Sequence, residues 1–234
     1  APLPSSGGIA LAQLLGIKED RAADFKGVPL NSARYIHLLA EIEKRVFADR
    51  ADYLGDPDFT HVPEAQLIAP DYLKKRAAEI NPTAISPTEQ VRPGLETHQT
   101  THFSIVDAAG NAVSNTYTLN WDFGSGVVVK GAGFLLNDEM DDFTVKVGEK
   151  NLYGLVQGTA NSIAPGKRPL SSMSPTLVTK DNKIFMVLGS PGGSRIITIT
   201  LQTALNVIDH GMAPQEAVDA PRIHHQWLPD EVYY

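Results

Sequence analysis

One stretch of the chain contains residues whose types and spacing suit covalent catalysis. It runs from Gln99 to Gly124 and reads QTTHFSIVDAAGNAVSNTYTLNWDFG. Apolar Phe103 and Ile105 alternate with polar residues after Thr100, which is the period of a half-buried strand. If the bond between Gln99 and Thr100 is broken, Thr100 carries a hydroxyl nucleophile and a free α-amine that can act as its general base. Two threonines at a strand start are otherwise ordinary β-branched packing residues, so the pair alone does not identify a nucleophile.

The spacing of further residues after Thr100 gives a more specific interpretation of this stretch. T-T-H-F-S is followed by Gly110-Asn111, by T-Y-T-L-N at 116–120 and by Phe123-Gly124. This pattern closely resembles the threonine-nucleophile region of the γ-glutamyltranspeptidases, which are N-terminal-nucleophile hydrolases, and further blocks similar to that family follow along nearly the whole chain. The resemblance implies that Thr100 is the nucleophile, that Thr118 hydrogen-bonds its hydroxyl and that Asn120 contacts the amino-acid head of the substrate.

An acidic segment follows several glycine-rich turns and reads FLLNDEMDDF at 134–143. Four acids within five positions would repel one another unless they are solvated or face a cation. No ligand-spaced loop accompanies them, and the adjacent His224 and His225 would point to opposite sides of a strand, so we expect no metal and no cofactor. The resemblance instead makes Glu139 and Asp142 the residues that bind the substrate's α-ammonium group.

Three later blocks carry the remaining predicted site residues. By resemblance, Tyr153 is the aromatic residue of a lid loop, and Ser171 and Ser172 accept the donor's α-carboxylate. Gly192-Gly193 lies at a strand-to-helix junction, where successive backbone N–H groups can form an anion hole. In the family these two N–H groups stabilise the tetrahedral oxyanion. The resemblance also implies a carboxylate-binding arginine from an earlier part of the large subunit, outside this sequence, so we expect the chain alone to bind the donor weakly. Tight binding by the chain alone would make Arg195 the first candidate for that role.

Helical patterns dominate the first 80 residues. An apolar segment from Ile9 is expected to end at Gly16, and a long helix is expected to begin after an N-cap at Asn31 or Ser32. The charged end of that helix, before Gly55 and Pro57, favours a solvated surface over a site. A shorter helix from Pro70 to Ile80 precedes a proline-punctuated connector at 82–99, which we expect to be exposed and mobile.

Strand patterns follow the connector in two pairs. The first predicted hairpin joins Thr101–Asp107 to Ala112–Asn120, which would place Thr118 and Asn120 on one face of a strand. The second joins Leu177–Lys180 to Ile184–Leu188 through Asp181-Asn182, and a helix from Ile196 to Asp209 follows. Helices and then strand pairs indicate an α+β fold. The resemblance implies the αββα sandwich of N-terminal-nucleophile hydrolases, present here in part.

Composition limits the partners. The net charge of −7 argues against nucleic acid and anionic membranes, which favour basic surfaces. The chain has no cysteine, so disulfides and thiolate catalysis are excluded. No apolar run has the length of a membrane span. By resemblance the location is periplasmic or extracellular, with any signal peptide outside this sequence.

The resulting interpretation is an enzyme that transfers or hydrolyses γ-glutamyl groups, such as that of glutathione, to an amino-acid or water acceptor. We expect residues 1–99 to be the C-terminal part of a large subunit and residues 100–234 to be most of a small subunit, separated by autocatalytic cleavage at Gln99/Thr100. The two would form a heterodimer with the remainder of the large subunit. The alternatives are a β-lactam side-chain acylase of the same superfamily and an inactive fragment or unprocessed precursor.

Overall fold

Helices form the first part of the protein. The computed structural model describes residues 1–87 and 100–234. The early helices are α1 (Gly7–Asp20), α2 (Ala22–Phe25), α3 (Ala33–Tyr53), α4 (Glu64–Leu67) and α5 (Pro70–Ala78). The expected helix end at Gly16 is wrong, because α1 continues through it. A Cβ at Gly16 would lie 2.5 Å from Cδ1 of Leu73, so the glycine serves close packing of α1 on α5.

Helix α3 is the longest helix of the described residues. Its predicted N-cap is confirmed at Ser32, whose Oγ accepts a hydrogen bond from the backbone N–H of Tyr35 at 3.3 Å. The apolar stripe packs against α1 and shares one hydrophobic core with a later helix, α6 (Ile196–Ile208), which also packs on α1. The prediction of a solvated charged end is wrong, because most charged side chains in the second half of α3 are buried. They are held by ion pairs and hydrogen bonds, which compensate for the cost of burial. They are Glu41, Glu43, Lys44, Arg45, Asp49 and Arg50.

The start of the predicted connector is anchored on α3. The hydroxyl and the backbone N–H of Ser86 donate to the Glu41 carboxylate at 2.5 and 3.1 Å, and the Ser86 hydroxyl accepts from Arg45 at 3.0 Å. The prediction of a mobile connector is therefore wrong for its residues up to Ser86. Residues 88–99, including Gln99 of the predicted cleavage site, lie outside the described residues.

Two antiparallel hairpins form the β part of the described structure. Strand β1 (Thr101–Val106) pairs with β2 (Ala112–Tyr117), and β3 (Thr176–Lys180) pairs with β4 (Lys183–Leu188). Asp181 and Asn182 adopt φ values of 52° and 58°, the left-handed conformation that a tight hairpin turn requires. Both predicted hairpins are confirmed, and the last helix, α7 (Pro214–Asp219), follows α6.

The two hairpins pack through polar side chains. Ser114 of β2 donates to the carbonyl of Leu188 at 2.9 Å and accepts from the N–H of Thr176 at 3.0 Å. Phe103 and Ile105 lie on the other face of β1 and are 45% and 56% exposed, so the expectation that they form the buried face is wrong for the described residues. The His102 side of β1 is the packed face instead, because Gly189 leaves room for the imidazole ring.

The architecture is α+β, as expected. Most of the predicted site residues lie in the segment between β2 and β3 or directly after β4. Among residues 1–87 and 100–234, no helix is both long and apolar enough to cross a membrane.

Candidate active site

A narrow cavity of about 30 Å³ brings together residues from distant parts of the sequence. This volume has room for only a few water molecules. The lining includes most of the predicted site residues: Thr100, Thr118, Asn120, Asp142, Tyr153, Ser171, Ser172 and Gly193. Glu139 and Gly192 do not line it. Glu139 is close enough to act electrostatically on Asp142, and Gly192 is the buried residue before Gly193.

Thr100 and Thr118 meet at the mouth of this cavity. Oγ1 of Thr100 donates to Oγ1 of Thr118 across a long 3.4 Å, and Oγ1 of Thr118 accepts from the backbone N–H of Asn120 at 2.9 Å. Strand β2 ends at Tyr117, so the prediction that Thr118 and Asn120 share a strand face is wrong. Asn120 has φ 74°, which turns the chain and directs both side chains to the cavity.

Tyr153 covers Asn120. Its hydroxyl donates to the backbone carbonyl of Asn120 at 3.1 Å and also to the side-chain oxygen. Tyr153 is 6% exposed, so the predicted lid residue is closed over the cavity in this structure. The side-chain nitrogen of Asn120 is buried and has no hydrogen-bond partner among the described residues. A buried amide donor without a partner is costly, and a ligand oxygen in the cavity would satisfy it.

Two carboxylates of the acidic segment accept hydrogen bonds from backbone groups, and a third, that of Asp142, lines the cavity. Asp138 accepts from the backbone N–H of Trp121 at 3.0 Å, and Asp141 accepts from that of Leu152 at 2.6 Å. These two acids therefore hold the flanking loops. Burial raises the pKa of the Asp142 carboxyl to about 7, and Glu139 adds to the rise. The pKa of Glu139 is also raised, first by burial and then by Asp138, so both groups would gain from a cationic ligand.

The two serines are positioned by the N-terminal segment. The backbone N–H and the hydroxyl of Ser6 both donate to the carbonyl of Ser171, at 2.8 and 2.6 Å, and the Ser5 hydroxyl donates to the carbonyl of Met173 at 2.5 Å. Oγ of Ser171 accepts from the N–H of Met173 at 3.1 Å. The N-terminal Ser-Ser-Gly-Gly block thus supports the site, a role that the sequence interpretation missed.

Arg50 is a further cavity residue that the sequence interpretation missed. Its Nε donates to Oγ of Ser6 and its Nη2 to Oγ of Ser172, both at 3.0 Å. A sequence signal for Arg50 exists, because the block around the end of α3 resembles the corresponding block of the family. The charges of that block alone favour a solvated surface. Arg195, the fallback candidate for a carboxylate-binding cation, does not line the cavity; its guanidinium lies over the ring of Tyr233, 4.8 Å from the centroid.

The glycine pair lies between the hairpins and α6. Gly192 and Gly193 adopt φ values of 131° and 54°, which favour glycine. A Cβ at Gly193 would lie 2.5 Å from Cδ1 of Tyr153, so the ring packs directly on the glycine backbone. The next residue, Ser194, donates to Oε1 of Gln226 at 2.7 Å, which ties this turn to the C-terminal segment.

The cavity therefore brings unlike groups together beside one hydroxyl. Its lining includes the carboxylate of Asp142 and the donor groups of Ser171, Ser172 and Arg50. A small zwitterion carrying an ammonium and a carboxylate complements such an arrangement, because each buried charge then meets a partner.

Comparison with known proteins identifies the family of this chain. A family model described as Gamma-glutamyltranspeptidase matches residues 1–234. The chain belongs to the γ-glutamyltranspeptidase family. It is 74% identical over 235 residues to a "Glutathione hydrolase proenzyme" of Pseudomonas aeruginosa, covering 100% of this chain and 42% of that relative. This γ-glutamyltranspeptidase-family chain thus spans about two fifths of the length of that relative.

Solved structures confirm the fold of this family member. The γ-glutamyltranspeptidase from Pseudomonas nitroreducens, complexed with L-DON, is 65% identical with a TM-score of 0.56 over 58% of this chain and 70% of that chain. A cephalosporin acylase from Bacillus halodurans is 26% identical with a TM-score of 0.72 over 96% of this chain and 38% of that chain. The fold is that of the N-terminal-nucleophile hydrolases, as expected.

Proposed function

We propose that this chain carries the nucleophile and most of the donor site of an enzyme that transfers or hydrolyses γ-glutamyl groups, with glutathione as a substrate. The observation that carries the proposal is the position of Thr100 in one cavity lining with Asp142, Ser171 and Ser172. A γ-glutamyl donor has an ammonium group for Asp142 and a carboxylate for the two serines, which leaves its γ-carbonyl for Thr100.

The first step is self-cleavage. Oγ1 of Thr100 attacks the carbonyl carbon of Gln99, the peptide C–N bond breaks, and the Thr100 amine is released while an ester forms. Water then hydrolyses that ester and frees the hydroxyl. The products are a large and a small subunit, and Thr100 now carries both the nucleophile and a base.

Turnover uses the same hydroxyl. Oγ1 of Thr100 attacks the γ-carbonyl and its proton passes to the α-amine, while Thr118 orients the oxygen. The N–H groups of Gly192 and Gly193 donate to the tetrahedral oxyanion, an interaction that matters most in the transition state. The leaving amine takes the proton. Water or an amino-acid amine then attacks the γ-glutamyl ester and regenerates Thr100.

Asn120, Glu139, Asp142 and Tyr153 hold the head group in this proposal. The buried side-chain nitrogen of Asn120 suits the α-carboxylate, and Tyr153 closes the cavity. A β-lactam side-chain acylase is the alternative substrate class. Its acyl group does not need both an ammonium and a carboxylate partner, so a cavity lined by both Asp142 and the two serines favours the γ-glutamyl donor.

Two measurements test the proposal. Intact mass spectrometry of the 234-residue chain, alone and with the rest of the predicted large subunit, should show a split between Gln99 and Thr100. The processed protein should release p-nitroaniline from γ-glutamyl-p-nitroanilide and should leave a glutaryl β-lactam intact. Preferential release from the β-lactam would favour the acylase, and absence of both the split and any release would support an inactive fragment.

A further inference from the structure

Arg50 is buried in the lining of the cavity, although the charged sequence around it favours a solvated helix end. It is 2% exposed and lies at the end of α3, which places its guanidinium between the N-terminal segment and the serine loop. Burial lowers its pKa to about 10, so the group remains charged at neutral pH. A buried charge of this kind must be compensated by partners.

The hydrogen bonds of Arg50 orient the hydroxyl of Ser172 and reach the backbone of Ser171 through Ser6. A guanidinium has donors and no acceptor, so Oγ of Ser172 must accept at their 3.0 Å contact. Within the described part of the chain, the Ser172 hydroxyl donates to no protein acceptor. Its proton is therefore available to an anion in the cavity. Nε of Arg50 donates to Ser6, whose own hydroxyl holds the carbonyl of Ser171, so the guanidinium braces both serines.

We propose that Arg50 is a positioning residue for the α-carboxylate of the donor. It donates to Ser172, so that the Ser172 hydroxyl directs its own proton to the carboxylate. Arg50 also supplies a buried positive charge that balances the carboxylate of Asp142. This inference rests on the proposed function and adds to it an internal cation contributed by α3. A cationic group behind a hydroxyl strengthens that hydroxyl as a donor, because hydrogen bonds in a chain polarise one another.

The positive charge of Arg50 also acts on the carboxyl group of Asp142. Asp142 faces three other carboxylates, those of Glu139, Asp141 and Asp138, and Arg50 is the positive group that opposes them. The phenol of Tyr153 also faces this cluster. Removal of the Arg50 charge should therefore favour protonation of Asp142 even in the empty protein, which a purely structural arginine outside the cavity would not do.

The test compares Arg50→Met, Arg50→Lys, Ser172→Ala and the Arg50→Lys/Ser172→Ala double variant in the full-length protein. Calorimetry with glutamate at about pH 8 should show a roughly tenfold or greater loss of affinity for Arg50→Met and a partial recovery for Arg50→Lys. The effects of Arg50→Lys and Ser172→Ala should be strongly non-additive, because both act on one hydroxyl. A ¹³C NMR titration should give a higher pKa for Asp142 in Arg50→Met than in the wild type.

Arg168→Met is the matched control. Arg168 donates to the carboxylates of Asp56 and Asp58 outside the cavity, so its loss should lower the melting temperature without changing glutamate affinity or the Asp142 titration. If Arg50→Met fails to fold, the double-variant comparison still decides. Additive effects of Arg50→Lys and Ser172→Ala with normal wild-type binding would overturn the role of Arg50 alone. Wild-type protein that does not bind glutamate would instead overturn the proposed substrate class.

Discussion

The hydroxyl of Tyr153 donates to both oxygens of Asn120, the backbone carbonyl at 3.1 Å and the side-chain amide oxygen. These bonds fix the amide so that its buried nitrogen is the group left for a ligand. They also close the cavity, because the Tyr153 ring rests on Gly193. One side chain thus orients a binding group and covers the site.

Tyr153→Phe should weaken substrate binding while leaving the chemical step largely intact. The ring would still pack on Gly193, but Asn120 would lose its orienting partner, at a cost of about 1 kcal/mol, or a roughly fivefold increase in KM. Steady-state kinetics with a γ-glutamyl donor measures this. Tyr53→Phe is the control, because Tyr53 is 45% exposed at the end of α3. An unchanged KM in Tyr153→Phe would argue against this role of the hydrogen bond.

Thr100→Ala should abolish both self-cleavage and turnover, because one hydroxyl performs both reactions in the proposed mechanism. Thr101→Ala keeps the strand start and should be far milder. Gel electrophoresis and intact mass resolve the two subunits, and a donor-release assay measures turnover. A Thr100→Ala protein that still splits after Gln99 would show that another residue is the nucleophile.

The sequence predicts the elements that have local signals. Ser32 caps α3 by accepting a hydrogen bond from the backbone N–H of Tyr35, and Asp181-Asn182 form the turn of the second hairpin. The cap and the turn are therefore predictable from residues adjacent in the sequence. The α5 helix follows from Pro70 at its first position. These features depend on contacts within a few positions of the chain, where residue type determines the conformation.

The wrong predictions arise from long-range contacts. The sequence favours a solvated Arg50 because its partner Ser172 is 122 positions away. Gly16 resembles a helix end because the sequence does not show that Leu73 packs on it. The packed face of β1 is not predictable from alternation, which gives two faces without saying which face meets the second hairpin.

Gly193→Ala should reduce kcat by about 10²–10³ if the turn supplies an oxyanion donor. A methyl group there would meet the Tyr153 ring at 2.5 Å and would strain a backbone at φ 54°. Gly211→Ala is the control for strain alone, since Gly211 has φ 65° and an added Cβ would meet no described atom within 4 Å. An effect on KM with unchanged kcat would count against a transition-state role.

Substrate affinity should depend on pH through Asp142. Its pKa is raised to about 7 in the empty cavity, so the carboxyl is largely protonated below that pH and ionised above it. An α-ammonium group binds the ionised form better, and binding below about pH 7 must therefore release a proton. Glutamate affinity should rise as pH increases from about 5 to about 8 and then level off.

Calorimetry in buffers of different ionisation enthalpy measures both the affinity and the proton release. Asp142→Asn should bind more weakly at about pH 8 and should lose most of the pH dependence, since the titrating group is gone. Asp141→Asn is the comparison, because Asp141 accepts from the backbone N–H of Leu152 at 2.6 Å and does not line the cavity. That variant should keep the pH dependence and shift it to lower pH, because Asp141 is one of the carboxylates that raise the pKa of Asp142. An unchanged profile in Asp142→Asn would assign the titration to a different group, with Glu139 the next carboxylate to test.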